Sequence, residues 1–116
     1  MKRQRAERGG RRAETFAALW LQLKGWSILG RRVRTAVGEV DLIARRGRTL
    51  AFVEVKARAS EADAAFALDQ FRLRRVAAAS EALAARYARP GDELRIDAVF
   101  VVPWRAPRHV PNVWHG

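Results

Sequence analysis

The sequence predicts an α/β sandwich with a mixed sheet, its elements in the order α-β-β-β-α-β. Three observations carry that expectation. Phe16, Leu19, Trp20 and Leu23 recur at the i, i+3, i+4, i+7 spacing of a helix. Two strand-like runs are joined by the short Arg46-Gly47-Arg48 link of a hairpin. A second helical pattern then separates this hairpin from a further strand, a connection long enough to allow a parallel pairing.

The first helix is expected over Arg12–Lys24, with Gly25 as its stop and Glu14 in its first turn, where the helix dipole favours an acid. Trp26–Thr35 reads as a strand, Val37–Arg46 as a second and Thr49–Arg58 as a third. Asp69–Tyr87 reads as the second helix, with Leu73, Val76, Ala77, Ser80, Leu83, Ala84 and Tyr87 on its inner face. Pro90-Gly91-Asp92 is a turn. Leu94–Val102 is a fourth strand, with Leu94, Ile96, Ala98, Phe100 and Val102 on one face. Pro103 ends it, and Val110–Trp114 is a candidate edge strand.

The chain of 116 residues bounds the protein to one domain. Residues 1–12 are expected to form a basic, flexible arm broken by Gly9-Gly10, and residues 13–116 the domain itself. Lysine and arginine number 23 against 12 acids, a formal charge of +11 that favours a polyanionic partner. Arginine predominates, which suits phosphate recognition. There is no cysteine, which excludes disulfides and thiolate metal sites and fits a reducing cytoplasm. No run of about 18 apolar residues is present to span a bilayer, so no membrane partner is expected. The basic N-terminus lacks the apolar stretch of a signal peptide. His109 and His115 are the only histidines, read as surface residues, so a metal would rely on oxygen ligands, which suit Mg²⁺ or Mn²⁺.

The chemistry concentrates in the hairpin. Gly38-Glu39-Val40-Asp41-Leu42-Ile43 and Phe52-Val53-Glu54-Val55-Lys56 set charges inside runs that otherwise read as sheet core. Glu39 and Asp41 are two positions apart, as are Glu54 and Lys56, so each pair shares a face of its strand. Carboxylates crowded on a buried sheet repel unless a cation lies between them. A divalent ion held by Asp41 and Glu54, with the carbonyl of Val55 as a further ligand, would answer this. Lys56 could then orient water or offset charge at a phosphate, and Glu39 could support the site. Gly38 marks a bulge or a close backbone approach to a ligand. The same residues also fit a cross-strand ion pair on a solvated face. Arg31, Arg32, Arg34, Arg58, Arg72 and Arg75 are candidate phosphate contacts, with solvated surface as the alternative. Trp20 and Trp26 read as core or strand-entry residues, and Trp104 and Trp114 as exposed.

The run Trp26–Ala44, containing Gly38-Glu39-Val40-Asp41-Leu42-Ile43, and the run Leu50–Arg58, containing Phe52-Val53-Glu54-Val55-Lys56, resemble the YraN family of small bacterial proteins. Ala13-Glu14, Arg72, Arg75-Val76 and Arg95-Ile96-Asp97-Ala98-Val99 extend the resemblance over nearly the whole chain. It implies a restriction-endonuclease-like three-layer sandwich and a PD-(D/E)xK nuclease site, an arrangement also found in archaeal Holliday-junction resolvases. On that resemblance Asp41 and Glu54 are the metal acids, Lys56 is the catalytic lysine, Glu14 is a helix acid joining the site and Glu39 flanks it. Arg32 stands where the family usually has Asn, Arg72 where it usually has Lys, and Ala67 follows Phe66 where a glycine is usual.

The expectation is therefore a Mg²⁺- or Mn²⁺-dependent endonuclease acting on structured or branched DNA rather than RNA. A homodimer, the assembly of resolvases, is compatible with the sequence. The alternatives are a non-catalytic nucleic-acid-binding module and an RNA- or ribosome-associated accessory protein that retain the fold.

Overall fold

A computed structural model describes the backbone of residues 2–59 and 70–114, with side chains over 11–59 and 71–114. The elements are α1 (Lys2–Leu23), β1 (Ser27–Thr35), β2 (Gly38–Arg46), β3 (Thr49–Ala57), α2 (Gln70–Tyr87), β4 (Glu93–Val101) and β5 (Arg108–Val110). The expected α-β-β-β-α-β order holds, with a short strand added at the end. Asp69, the 59–68 connection beyond Ala59, and His115 were part of the reading above but lie outside the described residues.

The strands form one sheet in the order β1-β2-β3-β4-β5. β1 and β2, and β2 and β3, are antiparallel neighbours, and Gly47 provides the positive φ of 60° that the β2–β3 turn requires. The crossover through α2 brings β4 parallel to β3, in register from Thr49 against Glu93 to Ala57 against Val101. β5 caps the far edge antiparallel to β4, at Arg108–Val110 rather than the expected 110–114. Buried residues cluster on both faces, which makes the domain a three-layer sandwich. Ala17, Ala18 and Leu21 of α1 pack on Leu42, Ala44, Ala51, Val53 and Val99. Leu73, Val76, Ala79 and Leu83 of α2 pack on Val40, Ile43, Leu50, Phe52 and Ile96. Among the described residues no helix is long and apolar enough to cross a membrane.

α1 differs from the expectation in two ways. Its backbone continues back through Gly9-Gly10 to Lys2, into the basic stretch assigned to an arm. It also turns a different face inward. Phe16, Leu19 and Leu23, whose spacing marked the helix, are 46%, 54% and 81% exposed, and Trp20 is half-buried. The buried stripe is Ala13, Glu14, Ala17, Ala18 and Leu21. Small side chains let the helix lie close on the sheet, and that rotation carries Glu14 inward with them.

Several polar clamps fix the periphery. Arg45, at the end of β2, grips Asp92 with both terminal nitrogens (2.8 and 2.6 Å) and also donates to the carbonyls of Tyr87 and Gly47. This joins the hairpin turn, the end of α2 and the start of β4. The Arg45 hydrogen bonds, assisted by the Arg89 amide, depress the Asp92 carboxyl to about 2. Asp97, wholly buried on β4, accepts from Arg95, His109 and the Asn112 amide and so fastens β5 and the tail. His109 is thus a structural partner rather than a surface residue, and it meets Trp26 edge-on. Trp114 packs against the α2 cluster instead of facing solvent, whereas Trp104 is fully exposed as expected.

The burial pattern of α1 has a direct thermodynamic consequence. Leu21→Ala should lower unfolding free energy by about 2–4 kcal/mol in a urea titration, and Leu23→Ser by under about 0.5 kcal/mol. A larger loss at Leu23 than at Leu21 would contradict the orientation of α1.

Candidate functional site

The expected acids converge where β2 and β3 part company. The β2–β3 ladder runs from Arg46 against Thr49 to Leu42 against Val53. Continuing that register would place Asp41 opposite Glu54. Instead the Asp41 carboxylate accepts the Val55 amide at 2.8 Å, so a side chain takes the place of a backbone partner. β2 also changes face here. Leu42 and Ala44 belong to the α1 layer, yet Val40 belongs to the α2 layer, where strict alternation would have kept it with Leu42.

The neighbouring strand accommodates this break. Arg31 lies against Leu42 and Val33 against Val40, which sets Arg32 opposite Asp41. Arg32 has φ 50°, in the left-handed region. Asn adopts that conformation more readily than Arg. Arg32 instead spends its side chain on Glu14, with Nε 2.8 Å from Oε1. On the other side, a Cβ at Gly38 would lie 3.1 Å from the Arg75 carbonyl oxygen. Gly38 therefore permits a close approach of β2 to α2.

Four acids and their cations make up the site. Glu54 is buried, and its Oε1 lies 2.9 Å from both Lys56 Nζ and Arg72 Nε. The Glu54–Lys56 contact follows from their shared strand face. Glu14 is buried against Arg32, and the more open Glu39 pairs with Arg34 at 2.9 Å. Oε1 of Glu14 and Oε1 of Glu54 are sealed from solvent, and their cations stand close without an aligned hydrogen bond. Asp41 is the exception. It is buried and has no ion pair among the described residues. Burial first, then the Glu54 charge, push its carboxyl up to about 7, against the pull of the Val55 amide. Burial likewise raises Glu14, with Arg32 opposing it. Asp97 is the control. It too is buried, but its hydrogen bonds outweigh desolvation and hold its carboxyl below the usual range.

Two cavities open onto these acids and share Glu39, Asp41 and Arg72. One, of about 460 Å³, reaches Glu54, Arg75 and Phe71 on the α2 side. The other, of about 510 Å³, reaches Glu14, Arg32, Lys56 and Arg58 on the α1 side. The structure thus brings together Glu14, Glu39, Asp41, Glu54, Val55 and Lys56. Of the expected phosphate contacts, Arg32, Arg58, Arg72 and Arg75 line these cavities, whereas Arg31 donates to Thr15 Oγ1 and Arg34 is taken up by Glu39. Phe71, exposed beside Arg72, was missed, and its only signal in the sequence is an aromatic residue next to an arginine at the start of a helix.

The donor set fits a hard divalent cation in kind, since it consists of carboxylates with no sulfur or imidazole among them. Among the described residues no group of three acids or histidines converges on one point. A cation here would rest on Asp41 and Glu54 and complete its shell with water and backbone oxygen, as Mg²⁺ commonly does.

The raised Asp41 carboxyl fixes a pH dependence. The folded protein keeps a proton that the unfolded chain releases near 3.8, so ionising Asp41 removes stability as pH rises from about 4 to about 7. Asp41→Asn keeps an acceptor for the Val55 amide and removes the charge. In EDTA it should raise unfolding free energy by roughly 2–4 kcal/mol at pH 8 and change it little at pH 4. A variant less stable than wild type at pH 8 would mean that the carboxylate is favourably held.

Comparison with known proteins agrees with the resemblance drawn from the motifs. Residues 13–101 match the uncharacterised protein family UPF0102, which is the YraN family. A UPF0102 protein of Rhizorhabdus wittichii is 61% identical over 99% of this chain and 98% of its own length. Others from Sphingopyxis alaskensis and Erythrobacter litoralis are 60% and 55% identical, each over 98% of both chains. With the family matched across the sheet and the acid cluster, and bacterial relatives aligned nearly end to end, the chain belongs to the UPF0102 family.

Proposed function

We propose that this protein is a Mg²⁺- or Mn²⁺-dependent endonuclease that hydrolyses phosphodiester bonds in structured or branched DNA. The observation that carries the reading is Asp41, a carboxylate raised first by burial and then by its neighbour Glu54, without an ion pair among the described residues, in cavities lined by arginine. A protein that merely bound phosphate would gain nothing from an acid so placed.

Asp41 and Glu54 would hold the ion, with the Val55 carbonyl as a further oxygen. When bound, it would supply activation of water and polarisation of a phosphoryl oxygen. Lys56, held by Glu54, would orient that water or offset charge developing on the phosphate. Arg58 and Arg75 can engage the nucleic-acid backbone on the two sides of the acids. Glu39 and Glu14 support the site electrostatically, each through its own arginine. The net charge of +11 draws a polyanion to this surface, and the lack of cysteine suits a cytoplasmic setting. A second reading, a nucleic-acid-binding module without catalysis, is favoured by one observation: Glu14, Glu39 and Glu54 are already matched with cations of the chain itself.

Duplex, single-stranded, flap and four-way-junction DNA, incubated with Mn²⁺ or with EDTA, test the proposal. Cleavage should require the metal and fall at least about 100-fold in Asp41→Ala and in Glu54→Ala, with Lys56→Ala slowing cleavage more than it weakens binding. Binding to every substrate with no cleavage of any would favour the second reading, and normal cleavage by both acid variants would displace the site.

A further inference from the structure

Glu54 carries two cations on one oxygen, and they differ in how firmly they are held. Lys56 and Arg72 both approach Oε1 at 2.9 Å. The Lys56 side chain is 6% exposed, whereas that of Arg72 is 60% exposed. Lys56 is fixed by its strand and would be stranded in the interior if it left Glu54. Arg72 reaches in from α2 and can regain solvent by a change of rotamer, so its release costs little. Neither contact to Oε1 is an aligned hydrogen bond. Arg72 also lies at the junction of the two cavities and contributes to the wall of both.

We infer that Arg72 is an exchangeable counter-ion of Glu54, which a divalent cation displaces and thereby frees to bind a phosphate of the nucleic acid. This rests on the metal-site reading above and adds a coupling to it. While Arg72 sits on Glu54, its positive charge opposes a cation arriving between Glu54 and Asp41. Once the cation takes Glu54, the guanidinium is repelled toward the open cavity, where a phosphate would enter. Cation and phosphate must then strengthen each other's binding by the same factor. Arg75, three residues along the same helix, supplies the internal control. It lines the α2-side cavity but makes no ion pair among the described residues. Removing it deletes an equal charge without touching Glu54.

The test compares wild type, Arg72→Ala, Arg72→Lys and Arg75→Ala. Mn²⁺ is titrated calorimetrically into each without DNA, and binding of a phosphorothioate-linked duplex is then followed by anisotropy in Mn²⁺ and in EDTA. Arg72→Ala should tighten Mn²⁺ about 5–10-fold, Arg75→Ala less than about 2-fold, and Arg72→Lys should stay near wild type. Mn²⁺ should strengthen duplex binding by the same factor in wild type and in Arg75→Ala, although Arg75→Ala binds more weakly in both buffers for want of its own backbone contact, and this gain should disappear in Arg72→Ala. Equal effects of the two alanine variants on Mn²⁺, or a metal gain that survives Arg72→Ala, would overturn the exchange while leaving the metal site intact. A failure of all four proteins to bind Mn²⁺ would instead overturn the metal reading and the inference with it.

Discussion

Two carboxylates buried side by side at the point where β2 and β3 separate impose the constraint around which the rest of this domain is arranged. Burial and the Glu54 charge make an ionised Asp41 unfavourable to the folded state. Paired sheet on either side holds them there. β2 and β3 remain hydrogen-bonded from Leu42 onward, and β3 continues along β4 to Ala57, well past the acids. The Val55 amide, left over where the β2–β3 ladder stops, turns to Asp41. The break in the sheet and the placement of the acid are therefore one structural event.

The protein treats its buried acids in different ways. Asp92 and Asp97 are fully employed: each accepts several hydrogen bonds, each is depressed, and each joins elements distant in sequence. Glu54 and Glu14 are neutralised by cations whose contacts are close but poorly aligned. Among the described residues Asp41 alone has a single amide and no ion pair, and it alone of the aspartates there is driven strongly upward. Burial alone does not explain the difference, since Asp97 is buried too. The number and direction of donors decides it. An acid left with one donor beside another acid is poorly suited to a structural role and well suited to receiving a cation.

The centre of the site was legible because it violates its surroundings. Charges at Asp41, Glu54 and Lys56 interrupt apolar runs, the two-residue spacing of Glu54 and Lys56 fixes a shared face, and a glycine-containing link fixes the hairpin. The length of the crossover allowed a parallel pairing with a strand of the hairpin, and the structure puts β4 on β3. The inward face of α1 was not legible. Alanine is ambiguous in a hydrophobic pattern, so the larger Phe16, Leu19 and Leu23 dominated the reading, while close packing on the sheet selected Ala13, Ala17 and Ala18. The change of face between Val40 and Leu42 was hidden too. It lies beside an arginine in a left-handed conformation on the next strand, a position that propensity would not assign to Arg32. The cation assignments were equally beyond the sequence, because Arg32–Glu14 and Arg72–Glu54 join elements that only the tertiary fold brings together.

Anomalous diffraction from crystals of the wild-type protein soaked in Mn²⁺ at pH 8, where Asp41 is ionised, addresses the central claim most directly. The account predicts one strong peak in direct coordination with a carboxylate oxygen of Asp41 and one of Glu54. Absence of a peak there, with Lys56 and Arg72 still on Glu54, would contradict it and leave the acids as a structural ion-pair network.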